Sequence, residues 1–404
     1  MRKMYLSKSI CFSFFLNAVL CSSTYLDYQA TTPVDQRVLE KMLPFFTKIF
    51  GNPHSTTHIF GKKANQAVET ARAQIAAVIN AESEEIIFTS GATEANNLAI
   101  LGACRHLKKL GKNEIISVVT EHKSVLGPLK ALRKEGFKVI LLPVQSSGII
   151  KIEDLKKALS PKTALVTIMA ANNEIGVLQP IKIIAKLVHQ CGALFHTDAA
   201  QAFGKIVIDV KDSNIDLLSI SGHKIYGPKG IGALFIRKGI TLIPFTYGGG
   251  QERGVRPGTL PVPLCVGLGE AAQLAQQELL SESERLLSLR TKLLNLLQQQ
   301  LPSLTVNGDL QERLPGNLNF SVKNIDGKSL LKQLQGIAIS FGSACTSEGG
   351  SGLSYVIEAL QGKPIVPTVA IRISLGRFTT EDDITKAAEE LITAIKSLQH
   401  KKLA

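Results

Sequence analysis

The chain has 404 residues, 45% of them hydrophobic and 20% charged, which is ordinary globular composition and excludes global disorder and a multi-span membrane protein. At about 150 residues per domain the length allows two or three domains, each able to bury a full core without disulfide or metal staples. Lys and Arg outnumber Asp and Glu by 46 to 33, a net +13, while the six cysteines are too few for a disulfide framework; a positive field suits nucleic acid, anionic lipid or acidic partners, or solubility alone, and the cysteine usage points to a reducing compartment.

Arg2, Lys3 and Lys8 precede an apolar run from Ile10 to Leu20, followed by Cys21-Ser-Ser. This resembles a secretory signal, but the run falls short of the ~20 residues that span a bilayer, and Leu20 stands where a lipoprotein cleavage site wants a small residue. Residues 1–23 are therefore set aside as an extension without an assigned role. From Tyr25 onward helical and strand patterns alternate. Phe60, Ala64, Val68, Ala71, Ile75 and Val78 recur at helical spacing and predict a helix over 60–79. A short apolar strand, 85–89, ends at Ser-Gly. Helices near 93–109, 123–135, 152–159 and 179–191 alternate with strands near 114–120, 137–144, 163–169 and 193–197, and further strands follow at 215–220 and 232–237. That alternation predicts a mostly parallel sheet covered on both faces. A long Leu/Gln/Glu-rich helical region then runs from about 262 to 301. Shorter strands follow at 304–306, 317–322, 337–341 and 369–374, and Thr380 caps a last helix with Glu381, Asp382 and Asp383 in its first turn. The fold class is α/β, a large α/β domain with a smaller α+β domain.

Five segments carry chemistry. Ser90-Gly91-Ala92-Thr93-Glu94 joins a strand to a helix and suits either a phosphate on exposed N–H groups or simple capping. Asp198 ends an apolar strand, where ligands bind in open α/β sheets; it can pair with a cationic ring nitrogen or cap a helix, and local sequence favours the cap. Lys224 follows a strand in the Gly-rich turn Ser221-Gly-His-Lys-Ile-Tyr-Gly227, where a desolvated amine can condense with a carbonyl cofactor, or the loop is merely basic. Asp198 and Lys224 stand 26 positions apart (224 − 198), and a carboxylate for the pyridinium nitrogen plus a lysine for the carbonyl is what pyridoxal phosphate needs. Cys345 lies in Gly342-Ser-Ala-Cys-Thr-Ser-Glu-Gly-Gly-Ser-Gly352, a run of small residues that suits a mobile nucleophile, whereas Cys104, Cys191 and Cys265 fit apolar packing. Arg372 stands in the apolar strand Ala370-Ile-Arg-Ile-Ser374 and needs an anion, either a substrate carboxylate or an internal partner.

With these residues in view, the chain resembles the cysteine desulfurases of the NifS/IscS type, fold-type I enzymes of the class V aminotransferase group. The resemblance runs from Tyr25-Leu-Asp-Tyr-Gln-Ala-Thr-Thr-Pro33 to about residue 399. It rests on Phe50-Gly-Asn-Pro-His54, Thr120-Glu-His-Lys-Ser124, Asn172-Asn-Glu-Ile-Gly176, His196-Thr-Asp198, Ser221-Gly-His-Lys224, Arg256-Pro-Gly-Thr259 and Gly342-Ser-Ala-Cys-Thr-Ser347. It implies a large domain over 35–279 with a mostly parallel seven-stranded sheet, and a smaller α+β domain of 24–34 and 280–404 carrying the cysteine loop. It also implies that Lys224 holds pyridoxal phosphate and moves the Cα proton. Asp198 would pair with the ring nitrogen, Gln201 with the ring oxygen, and His122 would stack on the ring and serve proton transfer. Thr93, Ser221 and His223 would bind the phosphate, joined by Thr259 from the second subunit of a homodimer. Asn173 and Arg372 would hold the substrate carboxylate, and Cys345 would attack the substrate sulfur. The implied activity converts L-cysteine to L-alanine with persulfide on the enzyme, for an iron–sulfur scaffold or a tRNA-thiolation protein, in the cytoplasm, with no metal and no membrane.

Gln251 stands where a His is common in the family, Pro257 precedes the Gly-Thr of the second-subunit loop, and the longer tail that IscS-like enzymes use at a scaffold surface is missing after Ala404. Two alternatives stay open: a selenocysteine lyase-like enzyme, and, from a different class, a basic nucleic-acid-binding protein. The absence of Trp and 5% aromatic content argue against the second.

Overall fold

The structure, a computed structural model, describes residues 23–341, 354–362 and 366–400. In chain order it contains β1 (Thr24–Tyr25), α1 (Gln36–Met42), α2 (Pro44–Thr47), α3 (Ile59–Val78), β2 (Ile86–Thr89), α4 (Ala92–Lys108), β3 (Glu114–Val118), α5 (Lys123–Lys134), β4 (Lys138–Leu142), α6 (Ile152–Ala158), β5 (Thr163–Thr167), α7 (Ile181–Gln190), β6 (Leu194–Asp198), β7 (Leu217–Ser221) and β8 (Gly232–Ile236). There follow α8 (Val262–Gln300), β9 (Thr305–Val306), β10 (Asn317–Lys323), α9 (Gly327–Gln333), β11 (Ile337–Ala338), β12 (Ser340–Phe341), α10 (Tyr355–Gln361), β13 (Thr368–Ser374) and α11 (Glu381–His400).

Seven strands form one sheet in the order β2-β8-β7-β6-β5-β3-β4. Only β8 runs against its neighbours. The near-continuous apolar strands need cover on both faces, and alternate residues sort accordingly. Ile86, Phe88, Ile116, Val118, Val166, Leu218, Ile220 and Phe235 join a core with α3, α7 and the first half of α8. Ile87, Ile115, Leu165, Leu217, Leu234 and Ile236 join another with α4 and α5.

A second, antiparallel sheet has the order β12-β13-β10-β9. Its apolar face packs on Leu286, Leu289, Leu293 and Leu297 of α8 and Ile384, Leu391 and Ile395 of α11. The 39 residues of α8 thus serve two cores, Leu268 and Ala272 in the first and Leu293 in the second. Thr380 caps α11 reciprocally: its Oγ1 accepts the Asp383 N–H at 3.2 Å, and Asp383 Oδ2 accepts the Thr380 N–H at 2.9 Å.

One expected strand divides. Residues 337–341 form two short strands, because Ile337–Ala338 pairs in parallel with β1 while Ser340–Phe341 pairs with β13. The short helices α1, α2, α9 and α10 carry too few turns for a periodic signal. Because β3, β5, β6 and β7 are parallel, their C-terminal ends lie along one edge, and the candidate site is built there.

Candidate active site

The turn after β2 is the first wall. Gly91 has φ +150, a backbone conformation that L side chains rarely adopt, and α4 begins at Ala92, so the first N–H groups of a 17-residue helix have no intrahelical partner. Ser90 and Thr93 are exposed at this turn. Gly232, opposite both Thr89 and Ser221 in the sheet, lets the turn close: a Cβ there would stand 2.3 Å from the Ile220 carbonyl oxygen and 2.7 Å from Gly91 Cα. Sequence reasoning missed Gly232, whose role depends on strands brought together from three parts of the chain.

Asp198 ends β6, but no regular helix follows, so it is not a helix cap. Its Oδ1 accepts the Ala200 N–H at 2.9 Å and its Oδ2 accepts the Asn96 side-chain amide at 2.7 Å. His122 caps α5, its Nδ1 accepting the Ser124 N–H at 3.1 Å and lying 2.8 Å from Ser124 Oγ. Burial, with Lys224 and Lys123 nearby, lowers the affinity of this ring for a second proton against the pull of Asp198.

Lys224 leaves the end of β7 through a short 3-10 turn. Its Nζ donates to the carbonyls of Gln29 and Ala30 at 2.6 and 2.7 Å. Burial, and then the Arg372 charge, hold its pKa down at about 8, against the pull of Asp27 and Asp198. Gln201 Nε2 donates to the same Gln29 carbonyl at 2.9 Å, and its Oε1 accepts from Lys205 at 3.3 Å. Burial also lowers Lys205, to about 7. His223 sits 3.0 Å from Thr31 Oγ1 through Nδ1, and burial beside Lys224 lowers it to about 4, so the ring is neutral at pH 7.

Arg372 stands on β13. It donates to Asp27 Oδ1 at 2.8 Å, to the Asn173 carbonyl at 2.8 Å and to Ser340 Oγ at 2.9 Å. The internal ion pair weighed from sequence therefore exists, but it does not exhaust the guanidinium: Arg372 Nε and Asn173 Oδ1 are buried without a protein partner among the described residues.

A cavity of about 480 Å3 opens where these elements meet. Lys224, Asp198, His122, Gln201, Asn173 and Arg372 line it. Thr93, Ser221 and His223 stand at the same cavity. Thr259 does not line it and is exposed in its own chain. Cys345 lies outside the described residues, as does the extension up to residue 22. Among the described residues there is no cluster of three or more His, Cys, Asp or Glu that could hold a metal, and no helix is long and apolar enough to cross a membrane.

Comparison with known proteins bears on the family of the chain. The family model for aminotransferase class V matches residues 24–386. The chain is 53% identical over 378 residues to cysteine desulfurase IscS of Ehrlichia chaffeensis, covering 93% of this chain and 92% of that one. The chain belongs to the cysteine desulfurases of the class V aminotransferase family. The IscS protein of Rickettsia bellii is 50% identical, again over 93% of this chain and 92% of the relative. A probable mitochondrial cysteine desulfurase of Dictyostelium discoideum is 51% identical over 93% of this chain and 83% of its own length. Among solved structures, a NifS-like protein superposes with a TM-score of 0.86 at 37% identity, covering 93% of this chain and 99% of that chain. Membership in this family makes the chain a pyridoxal phosphate-dependent enzyme of fold-type I, in line with the seven-stranded, mostly parallel sheet.

Proposed function

We propose that this cysteine desulfurase takes L-cysteine, releases L-alanine, and carries the sulfur as a persulfide on Cys345 to an acceptor protein of iron–sulfur cluster assembly or tRNA thiolation. The observation that carries the reading is the single cavity that gathers a lysine of lowered pKa, Lys224, with the buried carboxylate Asp198. The cavity also fits the cofactor and substrate: it has helix-start amides without intrahelical partners beside Ser90 and Thr93 at one end, and at Asn173 and Arg372 buried polar atoms that lack protein partners among the described residues.

In this reading Lys224 holds pyridoxal phosphate through its amine and later carries the substrate Cα proton. Asp198 would keep the ring nitrogen protonated, Gln201 would meet the ring oxygen, and His122 would stack on the ring. Thr93, Ser221 and His223 bind the phosphate, with Thr259 of a second copy of the chain completing it. Asn173 and Arg372 orient the substrate carboxylate. When bound, the cofactor supplies the electron sink that makes the substrate Cα proton removable and lets the Cβ–Sγ bond break. The Cys345 thiolate would form the new S–S bond at that sulfur, the Cβ–Sγ electron pair would stay with the carbon fragment, and a proton delivered to Cβ together with return of the Cα proton would complete L-alanine. The segment carrying Cys345 follows Phe341, which lines the cavity, and precedes Tyr355, whose hydroxyl donates to the carbonyl of Glu121, the neighbour of His122, at 2.7 Å.

The same reading assigns 35–279 to a large domain and 24–34 with 280–404 to a small one. It also places the enzyme in the cytoplasm as a homodimer; Cys104, Cys191 and Cys265 are free, as a reducing compartment requires. The test is to purify the protein, record the cofactor absorption band, and follow cysteine-dependent alanine production. Lys224→Ala is expected to lose the covalently held cofactor, and Cys345→Ser to keep the cofactor but form no persulfide. Full desulfurase activity in Cys345→Ser would refute the nucleophile assignment.

A further inference from the structure

Two buried polar residues beside the site have no part in the roles above. Asn96, on α4, is fully buried, and its Nδ2 makes two bonds: to Asp198 Oδ2 at 2.7 Å and to Ser124 Oγ at 2.9 Å. Its Oδ1 has no partner among the described residues. The amide cannot turn over without setting that oxygen against the carboxylate, so Asp198 fixes which hydrogen reaches Ser124. Ser124 Oγ thus accepts from Asn96 and lies 2.8 Å from His122 Nδ1. The same Nδ1 accepts the Ser124 backbone N–H at 3.1 Å. A backbone N–H can only donate, so Nδ1 carries no proton, the Ser124 hydroxyl is left to donate to it as well, and the proton of the neutral ring sits on Nε2. Nε2 is then the ring atom left for a ligand in the cavity that His122 lines.

We propose that Asn96 and Ser124 are positioning residues that hold His122 bare at Nδ1 and protonated at Nε2, so that this ring donates from Nε2 toward the reacting groups. The chain of bonds runs Asp198, Asn96, Ser124, His122, and it ties the orientation of the ring to the charge on Asp198. Placing a proton on Nδ1 would set it against the Ser124 N–H and hydroxyl and break the cap of α5. His122 therefore enters the reaction as a donor and can accept at Nε2 only after giving up the proton there. The charged groups around the ring divide: Asp198 favours the cation, while Lys224 and Lys123 oppose it along with burial. Glu121, next in the chain, is buried with its carboxyl pushed well up, toward the neutral form. The inference rests on the assignment of His122 to the cofactor site.

The decisive experiment is a spectrum of the cofactor-loaded protein labelled with 15N-histidine, with His122→Gln used to assign the signal. The expected result is a bare Nδ1 and a protonated Nε2. Ser124→Ala removes one donor to the neutral ring, so the ring titration and the acid limb of kcat/KM should both move up by about one pH unit, the size expected for one neutral hydrogen bond. Ser124→Thr should restore both. Asn96→Leu should move the limb the same way and also weaken cofactor binding severalfold, because Asp198 loses a donor. A protonated Nδ1 in the wild type, or an unmoved limb in folded Ser124→Ala, would overturn the proposal. A protein that binds no pyridoxal phosphate would instead sink the cofactor reading, while the ring spectrum still decides the tautomer.

Discussion

Lys224 concentrates the chemistry in one titration. Burial and the Arg372 charge hold its pKa at about 8 instead of the usual value of 10.5. Below that pH the amine is protonated and cannot attack a carbonyl; above it the free base predominates. The rate at which added pyridoxal phosphate becomes covalently attached to the cofactor-free enzyme should therefore rise with pH to a plateau, with a midpoint near 8. A midpoint at or above 10, followed by absorbance, would mean that the site does not desolvate this lysine. Asp198 was legible in the sequence because it ends an apolar strand, and Lys224 because it follows one in a Gly-rich turn, both local patterns. Their partners were not: Asn96 reaches Asp198 across 102 positions, and the Gln29 carbonyl reaches Lys224 across 195. Arg372 shows the same limit. Its need for an anion was readable, but the presence of Asp27 beside it depends on a segment 345 positions away.

At the scale of elements, α8 joins the two cores, and its two faces should respond differently to substitution. Leu293 is fully buried and packs in the core of the second sheet, whereas Leu280 is 73% exposed. Leu293→Ala should cost about 2–5 kcal/mol of stability through lost burial and the cavity left behind. Leu280→Ala should stay within about 0.5 kcal/mol. Thermal or denaturant unfolding of the two variants checks the contrast, and equal losses would contradict the helix orientation. Elements with long periodic patterns were readable from sequence: α3 was expected at 60–79 and spans Ile59–Val78, and the strands of the large sheet fell in the expected order along the chain. Their order across the sheet was not readable, because pairing β2 with β8 and reversing β8 is a tertiary choice with no local signature. The division of 337–341 between two sheets is of the same kind, since five residues of one strand-like pattern answer to two partners.

At the scale of the whole molecule, the role proposed for Thr259 calls for a second chain. Thr259 is exposed and absent from the cavity of its own chain. Leu43, Phe46, Phe50, Ile59 and Phe60 are exposed apolar residues in and beside α2 and at the start of α3, with the rings of Phe50 and Phe60 5.7 Å apart between centroids. Apolar area of this kind favours burial against another surface, and a second copy supplies one by symmetry. If Thr259 of one copy completes the phosphate site of the other, Thr259→Ala removes a charge-assisted hydrogen bond and should weaken cofactor binding by about ten- to a hundredfold. Lys224→Ala disables the site in which that lysine resides. A mixed dimer with one Thr259→Ala chain and one Lys224→Ala chain then contains one site with both changes and one with neither. Co-expressed with different affinity tags and purified as the mixed species, it should recover about half the wild-type activity per dimer at limiting cofactor, although both parent dimers are impaired. A mixed dimer no better than the average of its parents would place Thr259 outside the second subunit's site and return the phosphate to the residues of a single chain.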